Sequence, residues 1–180
     1  MTNNERFPGN DIDETAKIAE GVRMGTGNII GPYCIIGYPP EWRDREYNSG
    51  RVVIGNNNRF TGLVTIDSGA EHDTQIADGC YLMKHSHVGH DAVLSNRVTL
   101  SCGAKIGGHT IIGEDTTIGL NACIHQKCWI PSGCMIGMGA VITKRTEMAK
   151  DRKYAGNPAK DIGVNIKPVG KPIIELKQMA

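Results

Sequence analysis

Aliphatic residues recur along this chain with a period of six. From Ile76 onward, Leu82, Val88, Leu94, Leu100, Ile106, Ile112, Ile118, Ile124, Ile130, Ile136 and Ile142 follow without a slip. Four residues after each stands a small or β-branched residue, from Cys80 and Ser86 through Ala104, Thr110 and Ala122 to Ala140 and Thr146. Glycine often follows the aliphatic residue, as at Gly89, Gly107, Gly113, Gly119 and Gly137. An α-helix repeats every 3.6 residues and a simple strand every two, so neither produces this pattern. A hexapeptide-repeat parallel β-helix does. Each hexapeptide supplies a short strand and a corner, and three of them close a triangular coil. The aliphatic side chain points into the prism, where its burial is worth ~1.5–3 kcal/mol. Glycine is expected to relax the backbone at the corners. Residues eighteen apart in sequence then become vertical neighbours, at a strand spacing of roughly 4.8 Å.

The same period runs less regularly upstream through Ile12, Ile18, Met24, Ile30 and Ile36, and again through Ile54, Phe60 and Ile66. The predicted organisation is a loose lead-in over 1–11, a β-helix over 12–146 and an irregular C-terminal tail over 147–180. Two stretches break the period and are expected to be extruded. Residues 38–51, YPPEWRDREYNSGR, hold two prolines and six charged residues and read as a lid or subunit contact. Residues 69–75 intervene where Ile66 and Ile76 stand ten apart instead of six. The segment from Glu147 to Gly163 reads as loop, and 171–180 as a short helix or strand.

Composition narrows the class. The formal net charge is +1, which gives no electrostatic case for nucleic acid or for an anionic membrane surface. Aromatic residues make up 5 %, as suits a prism too narrow for large rings. The six cysteines, at 34, 80, 102, 123, 128 and 134, form no C-x-x-C pair, and four fall on the small position of the repeat. They are expected to be reduced thiols, most of them buried. With no signal peptide and no membrane-spanning apolar run, the expectation is a cytosolic protein without membrane insertion.

Candidate chemistry gathers in one place. His85, His87, His90, His109 and His125 all lie in the regular section. The eighteen-residue rule stacks His90, Gly108 and Gln126 in one column, Asp91, His109 and Lys127 in the next, and Gly89, Gly107 and His125 on the other side. A general-base reading follows: His90 takes a proton from an attacking hydroxyl or amine, Asp91 orients the imidazole, and the Gly108 N–H holds an oxyanion. Cys102 lacks a histidine partner and reads as structural. Two other readings stand beside this one. The run Val88-Gly89-His90-Asp91-Ala92-Val93-Leu94 resembles the γ-class carbonic anhydrases, which bind zinc on hexapeptide repeats. Their further ligand positions, however, fall on Ser95 and Ile54 here. The chain could also be a non-catalytic trimeric scaffold.

The stretch Leu82-Met83-Lys84-His85-Ser86-His87-Val88-Gly89-His90-Asp91 resembles the H-x-x-H-D motif of the bacterial UDP-N-acetylglucosamine O-acyltransferases of lipid A synthesis. The likeness continues through Gly107-Gly108-His109, Ile124-His125-Gln126 and Gly163-Val164-Asn165-Ile166. The resemblance implies an all-β, left-handed parallel β-helix and a homotrimer with its site between neighbouring prisms. It implies no metal or other cofactor, with acyl carrier protein as donor. It makes His90 the general base, Asp91 its partner and Gly108 the oxyanion donor. His87, His109, His125 and Gln126 would line the sugar and acyl sites, and Asn165 would touch the nucleotide. Three departures are visible. Glu41-Trp42-Arg43-Asp44 replaces the family's Gln-Asp-x-Lys loop pattern, and Asp67 replaces a histidine. Few residues follow Ile166 where the family carries a helical domain. The run Ala155-Gly156-Asn157-Pro158-Ala159-Lys160 resembles instead the ending of acetyl-CoA-dependent hexapeptide acetyltransferases, which implies donor contacts at Asn157 and Lys160 and leaves coenzyme A as an alternative carrier.

Overall fold

The computed structural model describes residues 2–41 and 50–166. Its strands, mostly two residues long, lie in three sheets of nine, seven and six strands. From Asp11–Ile12 to Val141–Ile142 successive strands visit the three sheets in turn, which is the triangular coil that the period predicted. In nearly every two-residue strand the first residue is exposed or half-buried and the second is buried, as at Lys105–Ile106 and Thr117–Ile118. The buried residues form one column from Ile12 to Ile142, and Leu82, Val88, Leu94, Leu100, Ile106, Ile112 and Ile118 are wholly inaccessible. From residue 75 onward the coils pair in parallel at the eighteen-residue step, with Leu94 on Ile112 and Ile112 on Ile130.

The two insertions change that step and leave the stacking intact. Across residues 38–51 Met24 pairs with Ile54, and across residues 69–75 Ile66 pairs with Val88. The coil contacts there join residues thirty and twenty-two apart. Most of the first insertion, residues 42–49, lies outside the described residues, as does the segment 171–180.

Both ends of the prism are more ordered than the sequence reading expected. From Thr2 onward the predicted loose lead-in over 1–11 is ordered: Asn3–Arg6 form a helical turn with a Thr2/Glu5 capping box. Arg6 donates to the carbonyls of Ile18, Ala19 and Glu20, Asn3 to that of Ala16, and Asn4 exchanges hydrogen bonds with Ile12. These side chains satisfy a coil edge that would otherwise be open. At the other end, Arg152–Ala155 and Lys160–Val164 form an antiparallel hairpin, where a loop was expected. Its first strand continues the stack, with Tyr154 on Ile136. The signal was present in the sequence: Met148 and Tyr154 prolong the six-residue period after Ile142. Met148 packs against the core and Tyr154 is buried within it.

Glycine plays two distinct parts, and the expected one is the lesser. The left-handed corner residue falls three places after the aliphatic one, and at Gly79, His85, Asp91, Arg97, Gly103, His109, Asp115, Asn121, Lys127, Gly133 and Gly139 it recurs every six residues with φ between +53° and +76°. Gly89, Gly107, Gly113 and Gly119, directly after the aliphatic residue, have no such φ. They are needed because the next coil passes too close for a side chain: a Cβ on Gly113 would lie 2.4 Å from the Ser132 nitrogen. Inside the prism, Asn10, Asn28 and Asn58 form a ladder, each side-chain oxygen accepting the backbone N–H one coil on.

Gly113→Ala should therefore lower stability by ~1–3 kcal/mol, as overpacking does. Gly21→Ala, at a site with nothing near its Cβ and no left-handed φ, should be neutral or stabilising by ~0.4–1 kcal/mol. Urea unfolding of the two variants checks the contrast.

Candidate functional site

A groove of about 360 Å³ runs along one face and its corner, lined among others by Asp67, His87, Gly89, His90, Lys105, Gly107, Gly108 and His125. Its geometry comes from the strand register. Thr65, His87, Lys105 and Cys123 stack as outward residues of one sheet. Two places further along each coil stand Asp67, Gly89, Gly107 and His125. The bare glycines leave a trough between Asp67 at one end and His125 at the other. A Cβ on Gly108 would lie 2.7 Å from His90 Nε2, so only glycine leaves the imidazole in place. The Gly108 nitrogen stands 2.9 Å from where a Gly89 Cβ would be, beside the trough.

His90 and Asp91 form a rigid pair. His90 Nδ1 donates to Asp91 Oδ2 at 2.6 Å, which fixes the tautomer and leaves Nε2 as the proton-accepting nitrogen. The Asp91 side chain is fully buried. It accepts N–H bonds from Ala70 (3.2 Å), Glu71 (2.8 Å) and His72, all in the second insertion. The Asp91 N–H in turn donates to the buried Thr74 hydroxyl at 2.8 Å. Burial alone would raise the Asp91 pKa; the His90 hydrogen bond and these three N–H groups outweigh it and hold the carboxyl below its ordinary range. His109 Nε2 lies 3.7 Å from the same carboxylate, and its ring meets that of His90 edge to face at 5.0 Å.

Asp67 has the opposite balance. Burial raises its pKa to about 6, partly opposed by His90 and reinforced by Glu41. His87 Nε2 lies 3.6 Å from it. Burial, and then Lys105, push the His87 pKa down, so this imidazole is neutral near pH 7 and does not cancel the Asp67 charge. His87 Nδ1 pairs with the Thr65 hydroxyl at 2.8 Å.

The structure thus brings together His87, His90, Asp91, Gly108, His109 and His125. Gln126 follows at the next coil, its nitrogen 2.5 Å from where a Gly107 Cβ would stand. A second hollow of about 620 Å³ adjoins the first at His125 and holds Lys144, Arg145 and Lys160. Asn157 lies in the hairpin turn beside Pro158, which lines that hollow. Asn165 is not brought to the groove within one chain. Its amide donates to the Gly133 carbonyl at 2.7 Å and its N–H to the Asp151 carbonyl, at the corner six residues further round the coil from His109 and Lys127. His85 stands at another corner again, and Ile54, one of the further ligand positions of the zinc reading, points into the core. His90, Asp91 and His109 each bring a potential ligand atom within 4.8 Å of the others. The Asp91 oxygens are already taken up by N–H donors, an arrangement for sharing a proton. Of the cysteines, Cys34, Cys80, Cys128 and Cys134 are buried and reduced, and burial lifts the Cys80 thiol to about 11.

Fold and groove together define a hexapeptide-repeat β-helix protein with a histidine–aspartate pair set against a bare glycine. More narrowly, the chain is related to the UDP-N-acetylglucosamine O-acyltransferases, whose β-helix it shares. Enzymes of that name from Burkholderia orbicola and Burkholderia lata are 31 % and 30 % identical to it over 146 residues, 79 % of this chain and 55 % of each relative. The chain therefore spans about half the length of the curated relatives it matches. The crystal structure of the UDP-N-acetylglucosamine acyltransferase from Bacteroides fragilis superposes with a TM-score of 0.83 at 29 % identity, covering 87 % of this chain and 62 % of that one. The acetyltransferase domain of PglB from Neisseria gonorrhoeae, in complex with acetyl coenzyme A, superposes with a TM-score of 0.54 at 25 % identity, over 86 % and 58 % of the two chains. No protein-family model matches the chain.

Ionising the raised Asp67 carboxyl opposes folding. Its neutral form stabilises the fold fully below the unfolded pKa of about 4, and that stability is lost as pH rises through about 6. Asp67→Asn should leave stability unchanged near pH 3.5 and raise it by ~1–2 kcal/mol above pH 7, after allowance for partial exposure. Chemical unfolding at the two pH values checks this.

Proposed function

We propose that the groove is an acyltransferase centre that moves an acyl group from a thioester carrier to a hydroxyl or amine of a UDP-sugar. The observation that carries this reading is the His90–Asp91 hydrogen bond, held by three backbone N–H groups, beside the bare Gly108 in an open trough. His90 Nε2 takes the acceptor proton as the acceptor attacks the thioester carbonyl. The Gly108 N–H, which donates to no acceptor among the described residues, receives the developing oxyanion. The C–S bond then breaks, and the leaving thiolate takes the proton back from His90. Asp91 keeps the imidazole in the required tautomer and balances its charge when it is protonated. No covalent enzyme intermediate forms, because the acceptor attacks directly.

The names of the similar proteins support the nucleotide-sugar acceptor, with His87, His109, His125 and Gln126 along its path and Asn165 at the nucleotide. Because Asn165 is remote from His90 in one chain, this reading places it in the groove of a neighbouring protomer, in a cytoplasmic homotrimer. Exposed apolar residues support such an assembly: Ile111 and Trp129 pair one above the other, and Leu120 and Met138 also stand exposed. The donor lies in the second hollow. Lys144, Arg145 and Lys160 suit the phosphates of a phosphopantetheine carrier, whether coenzyme A or acyl carrier protein, with Asn157 at its rim. No metal or bound cofactor takes part.

His90→Ala should fold normally and lose ~10²–10⁴-fold in turnover, read by release of the carrier thiol. Thermal shift with UDP-sugars and acyl-coenzyme A tests the scaffold alternative, since a ligand at a hundred times its Kd adds about 2.7 kcal/mol of stability. Unshifted melting with every such ligand would overturn the enzymatic reading. Light scattering should give three chain masses.

A further inference from the structure

The trough ends on a carboxylate. Asp67 occupies the column of Gly89, Gly107 and His125, one coil before Gly89, because Ile66 pairs with Val88. Its carboxylate reaches the same groove as His90 and Gly108. The charged and titratable groups around it are Glu41, His87, His90 and Lys105. Among the described residues none neutralises it, His90 offsetting its charge only in part. Glu41 has the same sign, and His87 is 3.6 Å away and kept uncharged by burial. The Lys105 ammonium is tied to the His85 carbonyl at another corner, and His90 spends its Nδ1 proton on Asp91. A partly buried carboxylate that no described residue pairs with a cation is costly unless a cation comes to it from elsewhere, and a ligand can supply one.

Proton counting points to the ligand. A hydroxyl acceptor must lose one proton to become an ester oxygen, and one base suffices. An amine acceptor arrives at neutral pH as an ammonium ion and must lose two protons to become an amide nitrogen. The groove holds two separate bases, His90 and Asp67, at the same trough.

We infer that the acceptor is an amino-sugar nucleotide and that Asp67 is a catalytic residue which pairs with its ammonium group and takes the first proton. The inference rests on the acyl-transfer reading and narrows it to N-acylation. The ammonium binds against the Asp67 carboxylate and transfers one proton to it. The freed amine attacks the thioester carbon, forming the C–N bond as the carbonyl electrons move to the oxygen at the Gly108 N–H. His90 Nε2 removes the second nitrogen proton. The C–S bond breaks, the thiolate takes that proton from His90, and Asp67 returns its own proton to solvent. The products are the amide, the carrier thiol and one proton.

The test uses the full chain with acetyl- and longer acyl-coenzyme A and the corresponding acyl carrier protein thioesters. The acceptors are a matched set of UDP-N-acetylhexosamines: one with all ring hydroxyls present, others with the hydroxyl at carbon 3 or carbon 4 replaced by an amine. One of the amines should exceed the hydroxyl sugar at least tenfold in kcat/KM. Asp67→Asn should lose ~10²–10⁴-fold on that amine, and Asp67→Glu should restore part of the loss. On the amine, the wild-type limb of kcat/KM that falls towards pH 6 should change position in Asp67→Asn. A preference of the wild type for the hydroxyl sugar, or an amine preference that survives Asp67→Asn in a folded variant, overturns the inference and leaves acyl transfer standing. Absence of turnover on every acceptor with every donor overturns the acyl-transfer reading itself, and this inference with it.

Discussion

Backbone N–H groups of each coil donate to carbonyls of the next, as from His87 to Ala104, Lys105 to Ala122 and Cys123 to Ala140. These bonds set the height of each coil above its neighbour, and the aliphatic column inside the prism holds them in register. A strand of two residues has no stability alone. It persists here because its buried residue sits directly on those of the coils above and below. Side-chain placement on the outer surface inherits that register. A residue on one coil meets mainly its neighbours on that coil and what stands one step above or below it, so a catalytic group in such a fold is built from adjacent columns.

The site uses the column rule twice. Glycines at 89, 107 and 108 remove the side chains that would fill the trough, and Gly107 and Gly108 are also required because the neighbouring coil or imidazole lies too near for a Cβ. The left-handed corner then serves a second purpose. Asp91 and His109 occupy successive places on one corner with φ of 58° and 56°, and a corner of that geometry turns both side chains toward His90. Aspartate and histidine accept this conformation more readily than β-branched residues do. Corner geometry and acid–base chemistry therefore favour the same residue types at these places.

Asp91 and Asp67 show how environment separates two carboxylates on one face. Asp91 is more deeply buried, yet hydrogen bonds keep it ionised. Asp67 has no such donors among the described residues, and burial moves its titration toward neutrality. The first is fixed in charge and holds an imidazole; the second can exchange a proton. Paired groups whose environments drive their pKa values apart are a recurrent basis for acid–base division of labour.

The six-residue period in the sequence by itself determined the prism, its aliphatic column, the buried small residues and the stacking of His90, Gly108 and Gln126. It also contained Met148 and Tyr154 as continuing steps, although the intervening polar residues made that segment look irregular. Only the tertiary structure decided what the insertions do. Counting back eighteen from Gly89 or Asp91 gives the wrong residues, because the segment 69–75 adds four. The folded chain puts Asp67 in the glycine column and wraps Ala70, Glu71 and His72 around the Asp91 carboxylate. A period fixes neighbours only where it is unbroken; across an insertion, the path of the backbone through space sets which groups meet.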